Sequence, residues 1–258
     1  MTGEVVATVS SATVDLTGQL ILLTGAHGTI GSAVASAIAS SGGQVILAGK
    51  VPRKLDRLYD QIVQAGGVEP VSLPIDLVGS GPDEFAQVGE AIGTQFGRLD
   101  GLVHLASSFK GRSPLSAAKP QEWAETLHIA LNAPLLLHQA VYPWLSKAPQ
   151  PKIIFALERL SNVSSAYWGA YGVAKHALHG MVSILADELE SSGAKVFGVI
   201  PPPVRSKLRQ NLFMGVDPAK PVAAKDVAHL WTTLLADLED RPSGYIVDGS
   251  RESQSPTD

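Results

Sequence analysis

Residues 19–42 read QLILLTGAHGTIGSAVASAIASSG, and the order of residue types in them decides the fold. QLILLT is a short continuous apolar run, the pattern of a strand buried on both faces. Small residues punctuated by glycine follow, and AVASAIASSG has the composition of a helix. Strand, glycine turn and helix in that order open a βαβ unit.

Downstream the alternation repeats. VILAG (45–49) reads as a strand, RKLDRLYDQIVQAG as a helix ending on Gly66-Gly67, and VEPVSLPID as a strand with Asp76 at its end. DEFAQVGEAIGTQFG is helical and LDGLVHLA (99–106) is a fourth strand. A polar loop leads to EWAETLHIALNAPLLLHQAVYPWLS, a long helix interrupted or kinked at Pro134. The strand PKIIFAL, the loop ERLSNVSSAYW and the helix GAYGVAKHALHGMVSILADELE come next. Then follow the strand KVFGVI (195–200), the break PPP (201–203), a short SKLRQNLF piece, the helix KDVAHLWTTLLADLE and the strand GYIVDG. About seven strands in one uninterrupted series predict a doubly wound Rossmann-type α/β domain, parallel, with helices on both faces. Residues 1–17 read as an extension before a turn at Thr17-Gly18, residues 18–250 as the single domain, and 251–258 as a polar tail.

Composition narrows the function. The chain has 258 residues, 45% of them hydrophobic, and a formal net charge of -4. That charge gives no reason to expect nucleic acid or an anionic membrane as partner. Without cysteine there is neither a disulfide framework nor a thiolate site. No secretion signal and no membrane-length apolar run is visible, so a soluble cytoplasmic protein is expected.

Ligands of such sheets bind beyond the carboxyl ends of the strands, and the first strand-to-helix turn is the expected phosphate cradle. Here it is Thr24-Gly25-Ala26-His27-Gly28-Thr29-Ile30-Gly31. Gly25 suits the tight turn, Gly28 lets backbone approach a pyrophosphate, and Gly31 permits helix–sheet contact, while the helix N-terminus offers free N–H groups. A tight turn with no ligand is the plain alternative. His27 fits either a phosphate contact or a turn-filling role. At the end of the second strand, where a carboxylate would take a ribose 2′-OH, stand Gly49-Lys50 and then Arg53. Basic side chains there favour NADP(H) over NAD(H), unless Lys50 and Arg53 are only solvated charges. Asp76 could accept from an adenine amino group or cap the next turn.

Tyr171 and Lys175 stand four residues apart, on one face of a helix and one turn from each other. A phenol with a pKa near ~10 becomes a usable acid–base group when an ammonium favours its phenolate. The other reading is a Tyr and a Lys that share a helix by chance. His176 and His179 lack a third partner at a ligating spacing, so no metal is expected. The four tryptophans are dispersed and read as core or interface anchors, with Trp168 and Phe109 as candidate walls of a substrate pocket.

From Leu16 to about Gly249 the chain resembles the short-chain dehydrogenase/reductase family. DLTGQLILLTGAHGTIG, Asp76, Tyr171-Gly-Val-Ala-Lys175 and the ending GYIVDG carry the likeness. YWGAY and ILADEL are similar to segments of a poorly characterised bacterial subgroup of oxidoreductases. The resemblance implies strand order 3-2-1-4-5-6-7, hydride exchange with a small carbonyl or alcohol, and Tyr171 as general acid/base with Lys175 lowering its pKa and holding the nicotinamide ribose. It also implies cofactor contacts at Leu77, Ala106 and Pro201, and a homodimer or homotetramer through the helices at 166–190 and 224–239. Where the family carries its serine, thirteen residues before the tyrosine, this chain has Glu158. The family's active-site asparagine falls on Ala130, with Asn132 two residues on. Gly28-Thr29 replaces a residue followed by Gly, the Asn-Ala-Gly turn is Leu105-Ala106-Ser107, and Pro-Gly is Pro201-Pro202. An ionised Glu158 only accepts hydrogen bonds, so it would repel a carbonyl oxygen and raise the Tyr171 pKa. Protonated, it could donate. It could also pair with Arg159 or Lys175, or Ser161, Ser164 or Ser165 could supply the hydroxyl. A catalytically impaired binding or assembly module is therefore the second reading beside the oxidoreductase.

Overall fold

The computed structural model describes residues 13–213 and 221–252, the side chains of 251 and 252 excepted. Seven strands form one parallel sheet: β1 (Leu20–Thr24), β2 (Gln44–Gly49), β3 (Val71–Pro74), β4 (Gly101–His104), β5 (Lys152–Ala156), β6 (Lys195–Ile200) and β7 (Ile246–Asp248). Their spatial order is β3-β2-β1-β4-β5-β6-β7, as expected. The sheet is doubly wound. Strand β1 shows why the apolar run is continuous: Ile21 and Leu23 join the core on one face, and Leu20 and Leu22 the core on the other.

Helices α1 (Thr29–Ser40) and α2 (Pro52–Gln64) cover the first face through Val34, Ile38, Leu55 and Leu58. Helices α3 (Pro82–Phe96), α4 (Pro120–Leu127) and α5 (Ala133–Leu145) follow in sequence, and α3 and α5 cover the second face through Phe85, Ile92, Leu137 and Val141. After β5 come α6 (Leu160–Val163) and the long α7 (Gly169–Glu188), which adds Leu178, Val182 and Leu185 to that second core. Beyond β6 lie α8 (Lys207–Leu212), α9 (His229–Leu235) and, at the end of the described chain, α10 (Gly249–Glu252). Among the described residues no helix is long and apolar enough to cross a membrane.

Three elements refine or change the sequence reading. The long helix is interrupted, one of the two readings of Pro134: α4 and α5 are joined by a π-helical stretch, His128–Asn132, and Pro134 lies in the first turn of α5. Proline removes one donor and crowds the carbonyl four residues back, which is Ala130, and a wider turn there relieves both effects. The segment at 224–239 is a 3-10 turn (Ala224–Val227) followed by the short α9, which ends before Asp237, a residue with φ of 53°. Its apolar residues Val227, Leu230, Trp231 and Leu234 face the first core. Little of it is left for the subunit contact expected there. The extension, read as lying outside the domain, contributes Leu16, which is fully buried and donates from its backbone N–H to the Ser41 carbonyl. Residues 1–12 and 253–258 lie outside the described residues.

The second core contains a buried imidazole. His104, at the end of β4, stacks on Phe155 with ring centroids 4.9 Å apart, and its Nε2 has no partner. Burial, with the nearby His138 ring adding to it, lowers its pKa to about 3. The unfolded chain binds a proton there below pH ~6.5 while the folded chain does not, so stability is full above that pH and falls as acid is added. The expected loss is about 1.4 kcal/mol per pH unit below ~6.5. Denaturant unfolding between pH 7 and 5 should show at least this slope, to which the buried His138 and the half-buried His27 add in the same direction, and His104→Phe should make it shallower; an unchanged slope in the variant would place the acid sensitivity elsewhere.

Candidate active site

The turn from β1 into α1 is tight because two glycines let it be. Gly25 has φ of 69°, and a Cβ on it would lie 2.8 Å from the Ala106 backbone nitrogen. A Cβ on Gly31 would lie 2.1 Å from the Gly25 carbonyl oxygen. The Gly28 N–H bonds back to that same carbonyl at 2.9 Å, and α1 begins at Thr29 with its N-terminus toward the carboxyl edge of the sheet. There a cleft of about 320 Å³ is lined by Gly25, His27, Gly28, Thr29, Ile30 and Gly31 at one end. Lys50, Asp76 and Leu77 lie along it, and Ala106, Ser107, Glu158, Tyr171, Lys175 and Pro201 close the other end.

His27 packs on the last residue of β2: a Cβ on Gly49 would lie 2.3 Å from its Nδ1. That nitrogen is buried without a partner, and burial, then the charge of Lys54, holds the His27 pKa below its usual value. Lys50 and Asp76, read from the sequence as separate contacts, bind each other at 2.8 Å. Asp76 Oδ1 also accepts from the Val78 N–H, so it caps its turn. Arg53 is exposed on the first turn of α2 and does not line the cleft. Lys54, one residue on, is the cation that acts on His27, and nothing in the sequence pattern separates the two.

At the other end Tyr171 and Lys175 are both buried, although each has a polar tip. Lys175 Nζ donates to the Ala156 carbonyl at 2.8 Å, and Tyr171 Oη donates to Glu158 Oε1 at 3.2 Å. The sequence reading of a phenol made acidic by its lysine does not describe this state. Burial first, and then Glu158, hold the Tyr171 pKa well above 10, while Ser107 and Arg209 pull the other way. Burial lowers the Lys175 pKa, and Glu158 opposes that. The Glu158 backbone is anchored from α7 by the His179 ring, whose Nε2 lies 2.9 Å from the Glu158 carbonyl oxygen. Arg159 pairs with Asp248 at 2.7 Å and not with Glu158.

None of the serines offered as substitutes reaches the cleft. Ser164 Oγ lies 2.6 Å from the Leu160 carbonyl oxygen and 3.0 Å from His176 Nε2, Ser165 accepts from the Trp168 indole, and Ser161 is exposed. Ala130 is buried in the π-helical stretch, where Ile129 lines the cleft, and Asn132 is exposed away from it. Among the described residues no cluster of three His, Asp or Glu could hold a metal ion.

A second pocket, of about 260 Å³, adjoins the first. Phe109 meets Tyr171 edge-on at 5.6 Å, Trp168 stacks beside Tyr171 at 6.0 Å, and the Arg112 guanidinium lies 4.2 Å over the Trp168 ring. Arg112 is held there by donating to the Leu212 carbonyl on α8. Trp123, from α4, completes the aromatic lining. Tyr171 belongs to both pockets. The first has the length and the backbone cradle that an anionic dinucleotide calls for.

A profile of the family described as short chain dehydrogenase matches residues 19–216. The chain belongs to the short chain dehydrogenase family. Among curated relatives of this short chain dehydrogenase, the Escherichia coli strain K12 protein named "Uncharacterized oxidoreductase YciK" is 31% identical, with 90% of this chain and 92% of that protein covered. A Shigella flexneri short chain dehydrogenase solved with NADP superposes with a TM-score of 0.88 at 30% identity, over 93% of this chain and 100% of its own. An Escherichia coli CFT073 short chain dehydrogenase solved with NADPH gives 0.87 at 30% identity, over 92% and 99%. These matches are to oxidoreductases and do not favour the reading of a non-catalytic assembly module.

The cradle of this short chain dehydrogenase can be tested at Gly31. Gly31→Ala forces a methyl group against the Gly25 carbonyl, so thermal unfolding should show a loss of about 1–3 kcal/mol, and nucleotide binding by calorimetry should be lost with it. Unaltered stability and binding would mean that the turn has slack the structure does not show.

Proposed function

We propose that this chain is an NADP(H)-preferring oxidoreductase that exchanges hydride with a carbonyl or secondary alcohol. One observation carries the proposal: Tyr171 is the wall common to the glycine-lined cleft and the aromatic pocket. In this reading the dinucleotide lies along the cleft, and the substrate enters between Phe109, Trp168 and Tyr171. The nicotinamide, when bound, supplies or takes the hydride. Gly25, Gly28, Thr29, Ile30 and Gly31 receive the pyrophosphate at the α1 N-terminus. Lys50, with Lys54 nearby, favours a 2′-phosphate, and His27, Leu77, Ala106 and Pro201 line the remaining length. Support for NADP(H) comes from the absence of a carboxylate at the end of β2 and from the NADP and NADPH in the two solved relatives. Lys175 holds a ribose hydroxyl.

Tyr171 Oη moves the proton at the substrate oxygen. Glu158, where the family carries serine, does not polarise a carbonyl when ionised; it accepts the phenol's hydrogen bond and keeps the proton on Tyr171. Tyr171 is therefore held in its protonated form, the form that carbonyl reduction needs. The same reading takes in a homo-oligomer built on α7, where Val173 and Ile184 leave apolar surface on a face that also exposes His176, Gly180 and Ser183.

Calorimetric titration should show NADPH binding tighter than NADH, with Lys50→Ala narrowing the difference by about tenfold, the weight of one charge-assisted contact. Binding of neither nucleotide would overturn the proposal. Tyr171→Phe should keep NADPH binding and lose turnover in a screen of ketones, aldehydes and quinones. The raised Tyr171 pKa sets the direction of the pH dependence. Reduction, which needs the phenol, should stay level through neutral pH, whereas oxidation of an alcohol, which needs the phenolate, should climb with pH into the alkaline range. Oxidation already level at pH 7 would show that bound cofactor cancels the effect of Glu158.

A further inference from the structure

Four groups face the Tyr171 phenol from four elements. Glu158 stands in the loop after β5, Lys175 on α7, Arg209 on α8 and Ser107 in the loop after β4. Glu158 takes the phenol's only proton in a hydrogen bond, and Lys175 spends its ammonium on the Ala156 carbonyl. The Arg209 guanidinium lies over the Phe213 ring at 3.8 Å. That leaves the phenol oxygen without a donor among the three charged groups. Ser107 is the exception in another way: its Oγ is buried and has no partner in hydrogen-bond geometry.

A buried hydroxyl left unpaired costs about 1–3 kcal/mol, and alanine or glycine at this position would leave nothing to satisfy. The hydroxyl lines the same cleft as Tyr171 and Glu158, and it already opposes the rise that burial and Glu158 impose on the phenol. A serine can donate, which an ionised glutamate cannot. Hydrogen bonds at such sites are often loose before ligands arrive.

We propose that Ser107 is a positioning residue for Tyr171: its Oγ–H donates to Tyr171 Oη from the side opposite Glu158. The phenol is then gripped by one acceptor and one donor. When its proton leaves for a substrate oxygen, the phenolate keeps a hydrogen bond instead of being stranded beside a carboxylate in a dry wall. The donor that position 158 no longer supplies thus comes from β4, at a place where the resemblance expects a glycine. This inference rests on the reading of Tyr171 as the acid–base group, yet it can be tested without turnover.

The test places a fluorotyrosine at position 171 of the full chain and follows its ionisation by fluorine NMR in the unliganded protein. Ser107→Ala should raise the midpoint by about one pH unit, the weight of one hydrogen bond. Ser107→Thr, which keeps the hydroxyl, should restore it, and Glu158→Gln should lower it. A midpoint unmoved by Ser107→Ala while Glu158→Gln shifts it would overturn the assignment. Thermal unfolding of the Ser107→Ala protein checks that it is folded, and a Ser107→Gly protein should repeat its titration. If the wild type binds no nucleotide, the oxidoreductase reading falls, while the titration still decides the role of Ser107.

Discussion

A parallel sheet buried on both faces can meet a ligand only at its ends, and the rest of this molecule follows from that constraint. Side chains of β1 alternate between two cores, so neither face has room for a site. Chemistry is pushed to the loops beyond the carboxyl ends, where the turn after β1, the loops after β4 and β5, and the start of α7 converge on one cleft. The closeness of that convergence is set by backbone contacts. Gly25 and Gly31 bring the α1 N-terminus and the Ala106 strand end within van der Waals reach of each other, and any side chain there would pry them apart.

Within the cleft, desolvation decides more than charge pairing does. Tyr171 and Lys175 share a helix face, and from spacing alone the ammonium should dominate the phenol. Burial acts on both groups in the direction of their neutral forms, and the lysine satisfies itself on a carbonyl. Glu158 then tips the balance further by accepting from the phenol. The Glu158 carboxyl beside the phenol thus helps set which proton state Tyr171 prefers.

Small, dispersed devices hold the Tyr171 end of the cleft in place. His179, one turn beyond Lys175, fixes the Glu158 backbone, and Arg159 is drawn aside by Asp248. Arg112 ties the aromatic wall to α8 through the Leu212 carbonyl. Each link joins segments far apart in the chain. Together they place Phe109, Trp168 and Tyr171 around one pocket.

Local chemistry made much of this legible. Continuous apolar runs named the strands, glycine placement named the cradle, and four-residue spacing put Tyr171 and Lys175 on one face, because each of these is set by contacts within a few residues. Strand order came from likeness to a family and not from pattern. The split of the long helix was half visible in Pro134, but a π turn depends on how neighbouring helices pack. The pairing of Lys50 with Asp76, the separation of Arg53 from Lys54 and the idle hydroxyl of Ser107 were not visible, and of the pull on Tyr171 the part due to Glu158 was legible while the larger part, burial, was not. The first three arise from groups brought together across 26 to 64 positions of chain. Sequence by itself determined the elements and the kinds of group available. Tertiary structure decided which groups face one another and how dry the space between them is, and those two quantities set a proton's affinity.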